Sequence, residues 1–107
     1  MTISVNPESI PLAPESQMRI EELLGKLSIH LSEGADLRMF IKPLERDTFK
    51  ILIHVRDHQH DFVYETTGSS ILHLTREAVT HIRRRLIESK ERFISERRYK
   101  DAHRPTG

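Results

Sequence analysis

Apolar and polar positions alternate with two different periods along this chain, and the changes from one period to the other divide it into six elements. Thr2-Ile3-Ser4-Val5 alternates in the strand period and Asn6-Pro7 interrupts it, which predicts a short first strand. Beyond the proline-punctuated stretch over residues 10–14, Ile20, Leu23, Leu24, Leu27 and Leu31 recur at steps of three and four, the spacing that gathers side chains on one helical face. Pro14 suits a first turn, Glu15 complements the helix dipole there, and Gly34 can take the left-handed conformation that ends a helix. The pattern predicts a helix over residues 14–32.

Two alternating segments follow, joined by the polar Glu45-Arg46-Asp47, and they read as a hairpin. Leu37, Met39 and Ile41 share one face of the first, with Arg38, Phe40 and Lys42 on the other. In the second, Phe49, Ile51, Ile53 and Val55 oppose Lys50, Leu52, His54 and Arg56. A turn at Asp57-His58-Gln59-His60 leads into residues 61–66, where Phe62 and Tyr64 continue the covered face, so the three segments form an antiparallel meander. Gly68-Ser69-Ser70 closes it, and the Ser70 hydroxyl suits an N-cap. From Ile71 to about Arg98 nothing breaks a helix, and Leu72, Val79, Leu86 and Phe93 repeat every seven residues, reinforced by Ile71, Ala78 and Ile82. Residues 101–107 are polar, carry Pro105 and Gly107, and are expected to fray as a flexible tail.

The order β-α-β-β-β-α lets both helices cover one face of a single sheet while the other stays open, so the expected class is α+β, a two-layer domain over residues 1–100. A chain of 107 residues has room for one such core and no second. Hydrophobic residues make up 36% and charged ones 31% of it, the profile of a polar globular domain rather than a disordered tail. No apolar run approaches the length of a bilayer span and no signal-peptide pattern opens the chain, so a cytoplasmic location without a membrane partner is expected. The absence of cysteine removes disulfides, thiolate metal sites and cysteine nucleophiles together.

The net charge of +1 conceals a polarity. Residues 1–75 hold seven Lys/Arg against eleven Asp/Glu, a net of −4, and residues 76–107 hold ten against five, a net of +5. A basic end on an acidic body suits an anionic partner along one edge. Arg76, Arg83, Lys90 and Arg97 are seven apart, a row that drifts by only about 20° per heptad and so lines one border of the apolar stripe. Arg84 and Arg98 extend that side, and Arg85 and Arg92 lie beyond the opposite border. Such a row can follow a phosphate backbone, although Glu88, Glu91 and Glu96 are interleaved as on an ordinary solvated face. On the open sheet face Phe40 and Leu52 are expected as cross-strand neighbours flanked by Lys42, Lys50 and Arg56, a surface that could stack on bases or meet a second subunit.

Chemistry beyond binding finds no footing. His54, His58 and His60 cluster at one turn, but three or four convergent ligands with a supporting shell are not in sight, so they read as polar turn residues and no metal is expected. No nucleophile with a base, no carboxylate pair and no phosphate-cradling loop is present, so no cofactor or small-molecule substrate is expected and the chain is not read as an enzyme.

The element order, the Lys26-Leu27 pair late in the first helix, Gly68 and Ser70 ahead of the last helix, and Ile82-Arg83-Arg84-Arg85-Leu86 within it resemble the ribosome-associated inhibitor and hibernation-promoting factor family, also called sigma-54 modulation proteins, in its short form. The likeness covers Ile3 to about Phe93. Many members carry an acidic cap followed by an aromatic and small residues where this chain has Ser70-Ile71-Leu72-His73-Leu74. The resemblance implies a non-catalytic protein that binds the small ribosomal subunit where messenger and transfer RNA pass and silences idle ribosomes. It implies that Lys26, Arg84, Lys90 and Arg92 contact ribosomal RNA phosphates; helical geometry adds Arg76, Arg83 and Arg97. Two other classes stay open: a homodimeric protein-interaction adaptor using the Phe40/Leu52 face, and a double-stranded RNA binder of related α-β-β-β-α layout.

Overall fold

The computed structural model describes the backbone of residues 1–102 and the side chains of residues 1–89. Its elements are β1 (Thr2–Pro7), α1 (Pro14–Gly25) continued by a 3-10 helix (Lys26–His30), β2 (Asp36–Pro43), β3 (Phe49–Arg56), β4 (Asp61–Gly68) and α2 (Ile71–Ala102). The expected α+β order is the one observed. The strands form one sheet in the order β1-β2-β3-β4, with β1 parallel to β2 and the other pairs antiparallel. The parallel pairing follows from the connection: α1 crosses over the sheet and returns the chain to run beside β1. Pro7 ends β1 on an edge strand, where a missing N–H costs no ladder bond, and so the strand continues through Asn6-Pro7 instead of stopping at Val5.

One face of the sheet is dry. Leu37, Met39, Ile41, Ile51, Ile53 and Val55 point from β2 and β3 into a core completed by Ile20, Leu23, Leu24 and Leu27 and by Leu74, Ala78, Val79, Ile82 and Leu86. Each fully buried aliphatic side chain contributes on the order of 1.5–3 kcal/mol over its exposed state, so this double layer dominates stability. Phe62 and Tyr64 pack partly buried against the same core, as the alternation in β4 implies.

Two helix readings need correction. The first helix is α-helical only to Gly25 and then tightens into the 3-10 helix, so it does not reach residue 32. Leu27 stays fully buried while Ile29 is 81% exposed. Gly34 does take the left-handed conformation, at φ 83°, but in the turn that leads to β2, where the Ala35 amide donates to the Ser32 carbonyl at 3.2 Å. The second helix runs to Ala102, past the expected end near Arg98, so residues 101 and 102 of the expected tail are helical. Its buried stripe is the expected one through Ala78, Val79, Ile82 and Leu86, with Ile71 and Leu72 partly buried, and it is widened by Leu74 and Thr75. Thr75 is tolerated there because its hydroxyl donates to the Ile71 carbonyl at 2.7 Å. Phe93 lies outside the described side chains, and residues 103–107 of the expected tail lie outside the described residues.

The helix starts where it was expected to. The Ser70 hydroxyl accepts from the His73 amide at 3.3 Å, a working N-cap. Gly68 lets α2 turn back closely over the sheet, since a Cβ there would stand 2.8 Å from the Leu74 Cδ2. Along β4 the helix docks through rings: His81 stacks on Tyr64 with centroids 5.4 Å apart, and the Arg85 guanidinium lies 4.1 Å from the Phe62 ring centre.

Candidate functional site

Two charged surfaces flank the core, and they are built differently. The first lies where α1 and its 3-10 extension meet α2. Arg19 and Lys26 are seven residues apart on one side, Arg76 and Arg83 seven apart on the other, and all four line one hollow floored by Leu23, Val79 and Thr80. Seven residues are about two helical turns, or ~10.5 Å along an α-helix axis, so Arg76 and Arg83 repeat on one side of α2. The arrangement arises because Leu23 and Val79 draw the two helices together and leave the next position round each helix at the rim. Arg84 points farther round α2. It shares one hollow with Arg83, Thr80 and Glu88, and another with His81, Arg85 and Ser89.

Of these cations only Arg19 has a described carboxylate partner, Glu22 at 2.8 Å. Among the described residues no ion pair engages Lys26, Arg76, Arg83 or Arg84. Lys26, Arg76 and Arg83 are thus brought together, with Arg84 beside them on the outer side of α2. The side chains of Lys90, Arg92 and Arg97 lie outside the described residues. Arg19 and Thr80 were missed by sequence reasoning. The signal for Arg19 was its seven-residue spacing to Lys26, legible once α1 and α2 are known to be neighbours.

The second surface is the open face of the sheet. Phe40 stands directly opposite Leu52 and Lys42 directly opposite Lys50, as the alternation implied. Arg56 does not flank them: it lies four residues along β3, between Asp36 on β2 and Asp61 on β4. Most charges here are matched. Arg38 bonds Asp36 at 2.9 Å, Lys50 meets Glu65 at 2.6 Å, and the His54 Nε2 lies 2.6 Å from an Asp61 oxygen. The hydrogen bond from the His54 ring lowers the Asp61 carboxyl from its ordinary value, against desolvation and helped by the charges of His54 and Arg56.

The histidine-rich turn is a structural joint. Asp57 accepts from the Gln59 amide at 2.8 Å, the His60 amide at 2.7 Å and the His60 Nδ1 at 2.9 Å, while its other oxygen accepts from the Ser32 amide at 3.0 Å. Burial works against the charged form, yet the Ser32 and Gln59 amides and both His60 donors outweigh it, and the carboxyl falls from 3.8 to about 2. Among the described residues no three His, Asp or Glu side chains are placed to hold a metal ion, and no helix is long and apolar enough to cross a membrane.

No family model matches the chain, and no curated protein matches it by sequence. Solved structures do match its fold. The N-terminal domain of Thermus thermophilus Protein Y superposes with a TM-score of 0.71 at 11% identity, over 80% of this chain and 96% of that one. A ribosomal subunit interface protein from Coxiella burnetii superposes with a TM-score of 0.72 at 10% identity, over 85% of this chain and 99% of the other. At these identities the likeness establishes a shared fold.

Proposed function

We propose that this chain is a cytoplasmic, non-catalytic ribosome-associated factor of the hibernation-promoting type, which grips ribosomal RNA of the small subunit and blocks translation in idle ribosomes. The observation that carries the reading is the meeting of Lys26, Arg76 and Arg83 across the α1/α2 hollow, with no described carboxylate to neutralise them. Convergent, unmatched cations on a rigid helical margin suit a phosphate backbone, where each neutralised phosphate releases counterions. That one protein of the same fold is a ribosomal subunit interface protein supports the choice of the ribosome as polyanion. Arg84 extends the contact, and Lys90, Arg92 and Arg97 continue it along the sequence of α2. Action is by occlusion, so no acid, base or nucleophile is required.

The test is co-sedimentation with purified small subunits at low and moderate salt. Wild type is expected to pellet with subunits, and Lys26→Glu with Arg83→Glu to remain in the supernatant with an unchanged circular dichroism spectrum. Equal pelleting of the variant would refute the proposed contact. Competition by plain duplex RNA as strong as that by subunits would favour the double-stranded RNA reading instead.

A further inference from the structure

We infer that the open face of the sheet is a second RNA surface, a platform for one unpaired nucleotide, with its base on Phe40 and its phosphate between Lys42 and Lys50. The inference rests on the proposal that the chain binds RNA, and extends it from phosphate contacts to a base contact.

Three observations converge on Phe40. It is 41% exposed in the middle of β2, directly opposite Leu52, so its ring is open to a planar partner. Beside it, on the β1 side, lies a shallow hollow of about 560 Å3 bordered by Ser4, Asn6, Asp36 and Arg38, within the size range of small-ligand sites. The Asn6 amide nitrogen donates to Ser4 Oγ at 3.3 Å and to the Met39 carbonyl at 3.5 Å, and Arg38 Nε donates to Asp36 at 2.9 Å, which leaves the Asn6 amide oxygen and the remaining guanidinium N–H groups to meet a base edge.

The third observation is electrostatic. Lys42 and Lys50 stand directly opposite each other on adjacent strands, so two lysines meet on this face. Glu65 neutralises Lys50 at 2.6 Å, and no described carboxylate pairs with Lys42. Lys42 is two residues from Phe40 on the same face, about 6.8 Å along the strand, a step on the scale of one nucleotide. One residue pair thus offers a phosphate contact and the neighbouring pair a stacking surface. A duplex could not use this site, because its bases are already stacked and paired. The occupant is therefore single-stranded.

The chain contains no tryptophan, so Phe40→Trp places a sole reporter on the platform. Titration with an eight-nucleotide single-stranded RNA is expected to quench its fluorescence. An oligonucleotide of equal length with abasic sites is expected to leave it bright. In anisotropy with the same RNA, Phe40→Ala is expected to weaken binding about tenfold or more, the loss of one base–aromatic stack, and Phe40→Tyr to retain affinity. Lys42→Ala is expected to flatten the salt dependence.

Quenching by the abasic strand as strong as by the intact one, or equal affinity of Phe40→Ala and wild type, would overturn the platform. So would a wild-type dimer that Phe40→Ala converts to a monomer in sedimentation, since the face would then belong to a second copy. Small subunits still pelleting wild type, but not the Lys26/Arg83 variant, would in those cases leave the ribosome proposal standing. Loss of pelleting by wild type itself would remove both.

Discussion

The joint at Asp57 and the hollow between the helices are both charged, and their difference divides structural charge from charge that serves a partner. At the joint one carboxylate is nearly enclosed and receives four donors from two segments, so its charge is spent inside the molecule. In the hollow Lys26, Arg76 and Arg83 converge with no described acid to match them. Matched charge fixes geometry. Unmatched charge of one sign projects a field outward and weakens the fold slightly through its own repulsion.

That contrast gives opposite expectations for substitutions in the two places. The largest effect is expected from reversing Arg76 and Arg83 to glutamate: affinity for small-subunit RNA should fall on the order of 100-fold or more, because several phosphate contacts turn repulsive. Thermal melting of the same variant should stay unchanged or rise, since the new acids face Lys26 and Arg19. A drop in melting temperature with intact RNA affinity would invert the comparison.

Asp57→Asn is expected to do the reverse, costing about 2 kcal/mol of stability and leaving RNA affinity intact where the fold persists. The sign with pH follows from the depressed value. The Asp57 contribution is complete above the ordinary 3.8 and fades as pH falls through about 2, so urea midpoints of wild type should decline across that window and those of Asp57→Asn should decline less. Parallel profiles would show that the carboxylate is not the joint.

The smallest effect belongs to the exposed sheet pair. A double-mutant cycle on Lys50 and Glu65 should return less than about 1 kcal/mol despite their 2.6 Å separation, because both side chains remain substantially in water. A larger coupling would place the sheet face with the joint rather than with the surface.

The sequence carried the strands well because inward and outward residues alternate over residues 37–41 and 51–55, and a shift of one residue would turn Leu37, Met39, Ile41, Ile51, Ile53 and Val55 to the open face. It carried the end of the first helix poorly. Leu24 and Leu27 are three apart, a step that suits an α-helix and a 3-10 helix equally, so their burial does not distinguish the two. The widening of the α2 stripe to Thr75 was hidden for another reason: Thr75 reads as polar in sequence but satisfies its hydroxyl on its own helix. The placement of Arg76 and Arg83 on one side of α2 was legible from their spacing alone, while the side chains of Lys90 and Arg97 lie outside the described residues. That Arg19 joins Arg76 and Arg83 was not legible, since its place in the hollow depends on which side of α1 meets α2, and Lys26 was named only through the family resemblance. The role of Asp57 was equally invisible, because one of its partners is the Ser32 amide, twenty-five residues away in sequence.

The central claim is that the cations of the hollow neutralise RNA phosphates, and the salt dependence of binding measures this most directly. In a plot of log affinity for small-subunit RNA against log salt, wild type should fall steeply. Lys26→Ala, Arg76→Ala and Arg83→Ala should each reduce the slope by roughly one unit. Slopes identical to wild type in all three variants would mean that these side chains touch no phosphate.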